Sequence, residues 1–222
     1  MPTLPRLAVL VSGRGSNLQA ILDAIDAGSL DAEVVGVFSN RPRAQALQRV
    51  HASLRWSRDA RDYARREDFD AELAEAVAAS RPDWVVCAGY LRILGDAFIE
   101  RFRGRLLNIH PSLLPLYRGL RTHERALEAG DREHGASVHF MVPELDAGAV
   151  VAQARVPVLP GDDAHALQSR VLEVEHPLLL ATLRLAVAGR IAERGDTALL
   201  DGHALFTPLA LDSTGCLRET LR

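Results

Sequence analysis

The sequence predicts an α/β fold, with a doubly wound, mostly parallel sheet in a Rossmann-like N-terminal half and an antiparallel C-terminal extension. In the first half, continuous apolar runs typical of buried strands alternate with amphipathic helical patterns, as in parallel sheets. The second half contains two long extended stretches that can pair as neighbours. The chain has 222 residues, of which 48% are hydrophobic, so one full core can be buried. We therefore expect a single domain over residues 1–222.

The elements of the first half follow from apolar spacing and turn residues. Residues 7–11 form an apolar run that ends in a glycine-rich turn, as a buried strand does. The apolar stripe of the next helix consists of Leu18, Ile21, Leu22 and Ile25. Ser16 and Gln19 have capping-box spacing at its start, and Gly28 is suited to end it. The further expected elements are a strand over 34–38, a short helix over 44–52, a helix over 68–80, a strand over 84–88, a helix over 96–102 and a strand over 106–109.

The second half of the chain changes character. Residues 137–142 roughly alternate between apolar and polar, and 150–158 is another extended stretch. We expect these two to pair as an antiparallel arm that covers one face of the sheet. Asp162 or Asp163 is suited to cap a long helix that follows. The remaining expected features are one short strand over 203–206 and a frayed end near Arg222.

The composition argues against several classes of protein. The formal net charge is −3, and arginines alternate with acidic residues over 58–62, which argues against a general nucleic-acid binder. The two cysteines form no C-x-x-C pair, as expected in a reducing compartment. The first residues lack a signal-peptide layout, and no apolar run reaches membrane-spanning length. These features predict a soluble cytoplasmic protein with neither a membrane nor a nucleic acid as partner.

Asn108 and His110 form the first candidate site. They stand two apart at the end of a strand-like run, so their side chains share one face of an extended backbone. Pro111 and Pro115 then stop regular structure, which places this polar pair at the mouth of a strand. There, an amide and an imidazole can serve one reacting atom as hydrogen-bond donors and as a proton shuttle. The alternative is a turn in which both side chains only satisfy loop backbone.

A glycine-rich loop over residues 12–18 joins the first strand to the first helix. Gly15 lets the backbone approach a ligand, and the helix N-terminus offers free N–H groups with a partial positive charge. Ser16 and Asn17 add side-chain donors. The loop lacks the complete G-x-G-x-x-G and G-K-[ST] patterns, so it favours a phosphomonoester over a dinucleotide or a nucleoside triphosphate. A tight strand-to-helix turn is the alternative.

Residues 90–95 form a third candidate site. They follow the strand at 84–88, beyond the carboxyl ends of the strands, where open α/β sheets bind ligands. Leu91 and Ile93 together with Arg92 can hold a flat heteroaromatic ring, whose edge is read by backbone groups. The alternative is an ordinary apolar link into the next helix.

The other histidines and Asp146 carry weaker signals. Those expected to be surface or structural residues are His51, His165 and His203. His134 and His139 lack metal-binding spacing and have no cysteines nearby, which argues against a metal site. His123 opens a helix and is expected to cap it. Asp146 lies in a loop, where an aspartate is usually a turn residue.

Five segments, in this order along the chain, resemble the folate-dependent formyltransferases. They are V-S-G-R-G-S-N-L-Q-A-I at 11–21, A-G-Y-L-R-I-L at 88–94, L-L-N-I-H-P-S-L-L-P at 106–115, E-H-G-A-S-V-H-F at 133–140 and E-L-D-A-G at 144–148. The resemblance covers nearly the whole chain. The N-I-H-P-S-L-L-P block marks the wider group that uses 10-formyltetrahydrofolate, and the G-S-N-L loop points to its glycinamide ribonucleotide branch.

The resemblance implies transfer of the formyl group of 10-formyltetrahydrofolate to the amine of phosphoribosylglycinamide in purine synthesis, with no metal. It implies that Asn108, His110 and Asp146 form the catalytic set that stabilises an oxyanion, with Asp146 keeping His110 protonated. The residues expected to hold the phosphoribosyl substrate are Gly15, Ser16, Asn17 and Glu175. Those expected to line the folate site are Arg66, Leu91, Arg92, Ile93, Leu94 and Asn108. The partners are then small molecules, and the protein is a monomer or a homodimer.

Two kinds of alternative stay open. On the same core, the enzyme is a formyltetrahydrofolate hydrolase, or a formyltransferase acting on initiator methionyl-tRNA or on a nucleotide sugar. A different class is a non-catalytic module that binds a phosphometabolite through residues 13–17. Leu116 and Arg118 stand where some relatives carry lysine and proline, within a loop over 111–133 that is mobile in the family. The resemblance says least about this loop and about the tail after about residue 210.

Overall fold

The computed structural model describes residues 3–219, and the expected fraying near Arg222 concerns residues outside this range. The chain forms two compact units, Met1–Asn108 and Ile109–Arg222. The expectation that residues 1–222 act as one domain stays a prediction.

The first unit alternates strands and helices. Its strands are β1 (Arg6–Val11), β2 (Glu33–Ser39), β3 (Arg55–Ser57), β4 (Trp84–Cys87) and β5 (Leu106–His110), whose last two residues begin the second unit. Its helices are α1 (Ser16–Asp26), α2 (Arg66–Ala79) and α3 (Asp96–Arg101). The strand order is β3-β2-β1-β4-β5, and the pairings are parallel. The chain therefore winds outward in both directions from β1, which confirms the doubly wound, parallel half.

Strand β1 lies at the centre of this unit, because it pairs with β2 on one side and with β4 on the other. Residues 7–11 are fully buried, which explains why the whole run is apolar and not alternating. The helix expected over 44–52 is instead a short 3-10 helix, Gln45–Arg49, which ends where Val50 adopts an extended backbone.

The second unit contains the antiparallel extension. Its helices are α4 (Thr122–Ala129) and α5 (Ala164–Val187). After the end of β5, its strands are β6 (Glu133–Phe140), β7 (Val150–Pro157), β8 (Ile191–Arg194), β9 (Thr197–Leu200), β10 (His203–Ala204), β11 (Leu209–Leu211) and β12 (Leu217–Arg218). Strands β6 and β7 pair antiparallel, β7 pairs with β11 in parallel, and β12 is antiparallel to β11. Strands β8, β9 and β10 form a separate small antiparallel sheet.

Two expectations for the second unit are wrong. Strands β6 and β7 pair as predicted, but β7 also pairs with β11 edge to edge, so the arm belongs to a sheet instead of covering one. Between α5 and residue 219, the last that the structure describes, the chain forms five short strands, whereas only one is predicted, over 203–206. The missed signal is Gly195-Asp196, a dipeptide typical of a two-residue hairpin turn, since its neighbours Arg194 and Thr197 pair directly.

Helix α5 shows which of two neighbouring aspartates is the cap. Asp163 accepts a hydrogen bond from the backbone N–H of Ala166 at 2.7 Å, and Asp162 instead pairs with Arg170 at 2.6 Å. The helix then runs unbroken through Pro177 for 24 residues. In the described range 3–219, no helix is long and apolar enough to cross a membrane.

Candidate active site

The carboxyl end of β5 presents the predicted polar pair. Asn108 lies opposite Cys87 of β4 and is half-buried, and His110 ends the strand with 6% of its surface exposed. The two residues are two apart in one strand, so they share a face as the spacing predicts.

Asp146 lies beside His110, although the two residues are far apart in sequence. Its Oδ2 is 3.4 Å from His110 Nδ1, and its Oδ1 is 3.7 Å from His139 Nε2. The same Oδ2 accepts a hydrogen bond from the backbone N–H of Gly119 at 2.9 Å. The predicted proximity of Asp146 to His110 is therefore confirmed, and Asp146 is also a turn residue as expected.

The ring of His110 has an oxygen atom near each nitrogen. Nε2 lies 3.0 Å from the carbonyl oxygen of Tyr117, and Nδ1 faces the Asp146 carboxylate. A carbonyl oxygen can only accept, so Nε2 must carry a hydrogen. A hydrogen on Nδ1 as well would be directed at a carboxylate. Nε2 therefore acts as the donor in this conformation, and Nδ1 is the ring nitrogen that faces the anion.

His139 completes this cluster, and sequence reasoning missed it. It lies in β6, is 1% exposed, and its Nδ1 donates to the carbonyl oxygen of Phe140 at 2.8 Å. Burial is the largest influence and lowers the pKa of His139 to about 4, whereas the charge of Asp146 opposes this shift. The imidazole is then neutral near pH 7. His139 lies in a buried strand that leads into the loop carrying Asp146, and this position is the signal that could have identified it.

A second pair of histidines packs nearby in the same unit. The rings of His123 and His134 meet edge to face, with centroids 5.1 Å apart. Burial lowers the pKa of both rings, that of His134 to about 4, and a smaller lowering comes from His110 for His123 and from His123 for His134. The expectation that His123 caps α4 is wrong, because the residue before this helix is Arg121 and no side chain caps it. Among residues 3–219, no group of three or more metal-ligating side chains is suited to a metal ion.

The loop between β5 and α4 packs against this cluster through several contacts. The hydroxyl of Tyr117 donates to Asp131 at 2.5 Å. Arg118 forms an ion pair with Glu144 at 2.5 Å, which links this loop to the one that carries Asp146. Leu116 is 53% exposed. The arginine that departs from the family pattern thus has a defined partner, whereas Leu116 has an apolar side chain facing solvent.

In the first unit, the glycine-rich loop is shaped by Gly15. Its φ is +76°, and it is the residue before α1, with no side-chain cap on the helix. The predicted capping box is therefore wrong: Gln19 Nε2 donates to Asp23 at 2.7 Å instead. A Cβ on Gly15 would lie 2.5 Å from Ala46 Cβ, so the 3-10 helix packs directly on the loop. Asn17 is 6% exposed in the first turn of α1, where backbone N–H groups lack helical acceptors.

Segment 91–95 of the same unit is anchored at its start. The backbone N–H of Leu91 donates to Ser12 Oγ at 2.9 Å, and this hydroxyl donates to Asn40 at 2.6 Å. Leu91 and Ile93 are 61% and 53% exposed, whereas Leu94 is buried. Two large apolar side chains at solvent on one short segment are unusual, and they fit the face of the flat heteroaromatic ring expected here.

Two arginines accompany this segment. Arg66 Nη2 donates to the carbonyl oxygen of Leu94 at 2.7 Å. The guanidinium of Arg92 lies 5.0 Å above the ring of Phe69. Both predicted folate-site arginines therefore lie in the first unit. Arg92 belongs to segment 91–95, and Arg66 contacts this segment from α2.

The remaining predicted residues lie on other elements. Glu175 is half-buried within α5. The ring of His51 accepts a hydrogen bond from the backbone N–H of Ser53, and His165 and His203 are exposed. The expectation that these three histidines are surface or structural residues agrees with their placement.

Comparison with known proteins identifies relatives along most of the chain. The formyl transferase family matches residues 5–183. The phosphoribosylglycinamide formyltransferase of Escherichia coli (strain K12) is 45% identical over 201 residues, which cover 90% of this chain and 95% of that protein. The enzyme of the same name from Haemophilus influenzae is 40% identical and covers 91% of this chain and 96% of its own length.

A solved structure agrees in fold as well. The phosphoribosylglycinamide formyltransferase of Coxiella burnetii superposes with a TM-score of 0.85 at 41% identity, covering 91% of this chain and 96% of that one. The match confirms the predicted α/β fold with its Rossmann-like first half. The chain belongs to the formyl transferase family.

Proposed function

We propose that this chain is a phosphoribosylglycinamide formyltransferase, which moves the formyl group of 10-formyltetrahydrofolate to the amine of 5′-phosphoribosylglycinamide in purine synthesis. The observation that carries the proposal is the buried contact of Asp146 with His110, 3.4 Å between Oδ2 and Nδ1, in a chain that is 45% identical to such an enzyme. The function needs an oxyanion stabiliser and a proton path, and the side chains around β5 can supply both.

The reaction balances without a covalent enzyme intermediate. The lone pair of the substrate amine forms a C–N bond to the formyl carbon, and the C=O electron pair moves onto oxygen. The oxyanion then re-forms the C=O bond as the bond from this carbon to N10 of the folate breaks, and the electrons of that bond leave on N10. The attacking amine loses one proton and N10 gains one, so the protons balance. His110 provides a charged donor to the oxyanion, Asn108 a neutral one, and Asp146 balances the charge of His110.

The loop over 111–133 takes part through Tyr117. His110 Nε2 donates to the Tyr117 carbonyl oxygen, so this donor is occupied in the present conformation. For Nε2 to reach a substrate oxygen, the loop has to release that bond. We therefore propose that substrate binding is coupled to a shift of this loop. The ion pair of Arg118 and Glu144 joins the loop to the one that carries Asp146.

Binding is assigned to the other predicted residues. Gly15, Ser16 and Asn17 hold the substrate phosphate at the start of α1, because backbone N–H groups and the helix dipole favour an anion there. Glu175 contacts the phosphoribosyl substrate from α5. The residues that hold 10-formyltetrahydrofolate are Arg66, Leu91, Arg92, Ile93, Leu94 and Asn108. The exposed apolar side chains suit the flat face of a heteroaromatic ring, and the two nearby cations suit a ligand that also carries carboxylates.

The proposed partners are these two small molecules, with neither a nucleic acid, a membrane nor a metal ion. We propose a cytoplasmic monomer or homodimer. The net charge of −3 and the lack of a basic block support the exclusion of a nucleic acid, since binding to RNA depends on clustered cations and stacking side chains.

The decisive experiment mixes the purified chain with phosphoribosylglycinamide and 10-formyltetrahydrofolate, follows folate absorbance and quantifies the formylated amine. One amine formylated per folate released supports the proposal. Folate release without formylated amine indicates a hydrolase instead. Salt-sensitive binding and formylation of initiator methionyl-tRNA indicates the tRNA-directed enzyme, and ribonucleotide binding without turnover indicates a binding module.

Asn17→Ala tests the phosphate assignment. The phosphate is remote from the reacting amine, so the variant is expected to raise KM for the ribonucleotide about tenfold while kcat changes little. Steady-state kinetics with each substrate varied in turn measure both constants. An unchanged ribonucleotide KM together with a raised folate KM contradicts the assignment.

A further inference from the structure

Helix α2 carries one buried carboxylate that the proposed mechanism does not use. Asp70 is 5% exposed and lies one turn after the start of the helix. Burial is the largest influence and raises the pKa of Asp70, whereas the backbone N–H of Gly95 and the charges of Arg92 and Arg66 oppose this rise. A buried carboxylate is costly unless its partners are strong, so these partners explain why it can be retained.

The partners of Asp70 all belong to the folate-site region of the first unit. Its Oδ2 accepts from the backbone N–H of Gly95 at 2.9 Å and lies 3.4 Å from Arg66 Nε. Its Oδ1 faces Arg92 Nε at 3.8 Å. Because Arg66 also donates to the carbonyl oxygen of Leu94, the helix contacts the segment at residues 92, 94 and 95.

The charges in this cluster do not cancel. Two guanidinium groups face one carboxylate, and the side chains of Arg66 and Arg92 are 42% and 24% exposed. Each guanidinium has five N–H donors, and the contacts with Asp70 involve only part of them. Asp70 therefore holds both cations in place while leaving one positive charge for a ligand.

We propose that Asp70 is a positioning residue for the folate co-substrate, which fixes the backbone at 94–95 and the guanidinium groups of Arg66 and Arg92. This inference rests on the proposed function. Asp70 acts through its neighbours and does not touch the substrate. Its effect should therefore appear in folate binding, because the ribonucleotide is assigned to other residues.

Gly95 offers a second way to disturb the same contact. Its φ is −76°, so alanine meets no backbone strain there. A Cβ at this position would lie only 2.9 Å from Asp70 Oδ2. Gly95→Ala therefore displaces the carboxylate and keeps its charge, whereas Asp70→Asn keeps an oxygen acceptor and removes the charge.

The test compares KM for 10-formyltetrahydrofolate, KM for the ribonucleotide and kcat among the variants. Asp70→Asn is expected to raise the folate KM about tenfold, the usual scale for weakening a charge-assisted hydrogen bond. Gly95→Ala is expected to raise it about threefold, since the charge stays. Both should leave the ribonucleotide KM and kcat within about twofold, a split that a general loss of structure does not produce.

Glu75→Gln is the matched control. Glu75 lies in the same helix and forms an exposed ion pair with Arg101 of α3. The substitution also removes one carboxylate from α2. Because the Glu75 side chain is 73% exposed, the folate KM should not change.

Circular dichroism and thermal unfolding decide which variants are folded. If Asp70→Asn does not fold, Gly95→Ala decides alone. A folate KM within twofold of wild type in the folded variants overturns the role of Asp70, and so does an equal loss in both KM values and kcat. A wild-type protein that transfers no formyl group overturns the proposed function and this inference together.

Discussion

Asp146 holds an uncommon backbone conformation in the loop between β6 and β7, with φ at +48°. A residue other than glycine in this region costs about 1–3 kcal/mol. The carboxylate accepts from the backbone N–H of Gly119 and faces His110, and these two contacts offset the strain. The backbone of one residue thus sets the geometry of the proposed catalytic pair.

Asp146→Asn tests that pair. The substitution keeps the size of the side chain and removes the anion beside His110, so the oxyanion loses its charged donor. We expect kcat to fall by about 10²–10³, the scale for deletion of one oxyanion-hole donor. Both KM values should change far less, since neither ground state carries the developing charge. Steady-state kinetics at pH 7 measure the effect.

Glu144→Gln is the control for this prediction. Glu144 lies two residues earlier in the same loop, and its side chain is 73% exposed in the ion pair with Arg118. It should keep kcat within about twofold, because an exposed ion pair contributes little. A near-normal kcat in Asp146→Asn would leave Asp146 as a loop residue.

At the scale of elements, the start of α1 depends on the contact between a turn and a 3-10 helix. Gly15 has a φ of +76°, its carbonyl oxygen accepts from Gln19 N, and the carbonyl oxygen of Gly13 accepts from Ala46 N at 3.0 Å. Arg49 Nε donates to the carbonyl oxygen of Arg14 at 2.9 Å. The proposed phosphate loop is therefore held by neighbouring backbone groups and by the Arg49 side chain, although no side chain caps α1.

Gly15→Ala is expected to disturb this loop through two effects. The left-handed backbone costs about 1–2 kcal/mol for a residue with a Cβ. The added Cβ would also lie 2.5 Å from Ala46 Cβ, which forces the two segments apart. We expect a lower Tm and a higher ribonucleotide KM.

Gly28→Ala separates the two effects. Gly28 has a similar φ, +65°, but a Cβ there meets nothing within 4 Å. Gly28→Ala should lower Tm only through the cost of the left-handed backbone and leave the ribonucleotide KM unchanged. Equal changes in both variants would show that close packing at Gly15 is unimportant.

The cap of α5 is a second prediction at this scale. Asp163→Ala removes the acceptor of the Ala166 N–H, and we expect a loss of about 1 kcal/mol in unfolding free energy. Asp163→Asn keeps an acceptor and should lose only a few tenths. Urea unfolding of the two variants measures the difference, and equal losses would mean that the carboxylate matters for another reason.

For the whole molecule, buried neutral histidines predict how stability depends on pH. Burial lowers the pKa of His134 from its ordinary 6.5 to about 4. Between these values the unfolded chain binds a proton that the folded chain does not, so stability falls as pH decreases from about 6.5 to about 4. From pH 7 to pH 5, one such group removes about 2 kcal/mol of unfolding free energy.

His134→Gln should flatten this dependence. Urea unfolding at pH 7 and at pH 5 is the measurement, and the variant should lose about 2 kcal/mol less than wild type over this interval. An identical pH dependence in the variant would show that His134 is not a buried neutral group. The exposed His165 provides a control, because His165→Gln should leave the dependence unchanged.

Local pattern was sufficient for most of the architecture. A strand buried on both faces is apolar throughout, so β1 and β4 stand out in the sequence, and the helices stand out by their apolar stripes. The pair of Asn108 and His110 was equally predictable, because two residues apart in one strand necessarily share a face. Resemblance to a known family then added the proposed role of Asp146.

Only the tertiary structure decided which distant side chains meet. The contacts of His139 with Asp146, and of Asp70 with segment 91–95, join residues from different elements, and no local periodicity encodes them. His139 and Asp70 are also buried, although ionisable groups usually face solvent. Hydrogen-bond donors and acceptors around them offset the cost of this burial. The pKa of such a group depends on that surrounding, so its charge is a property of the fold and not of the amino acid.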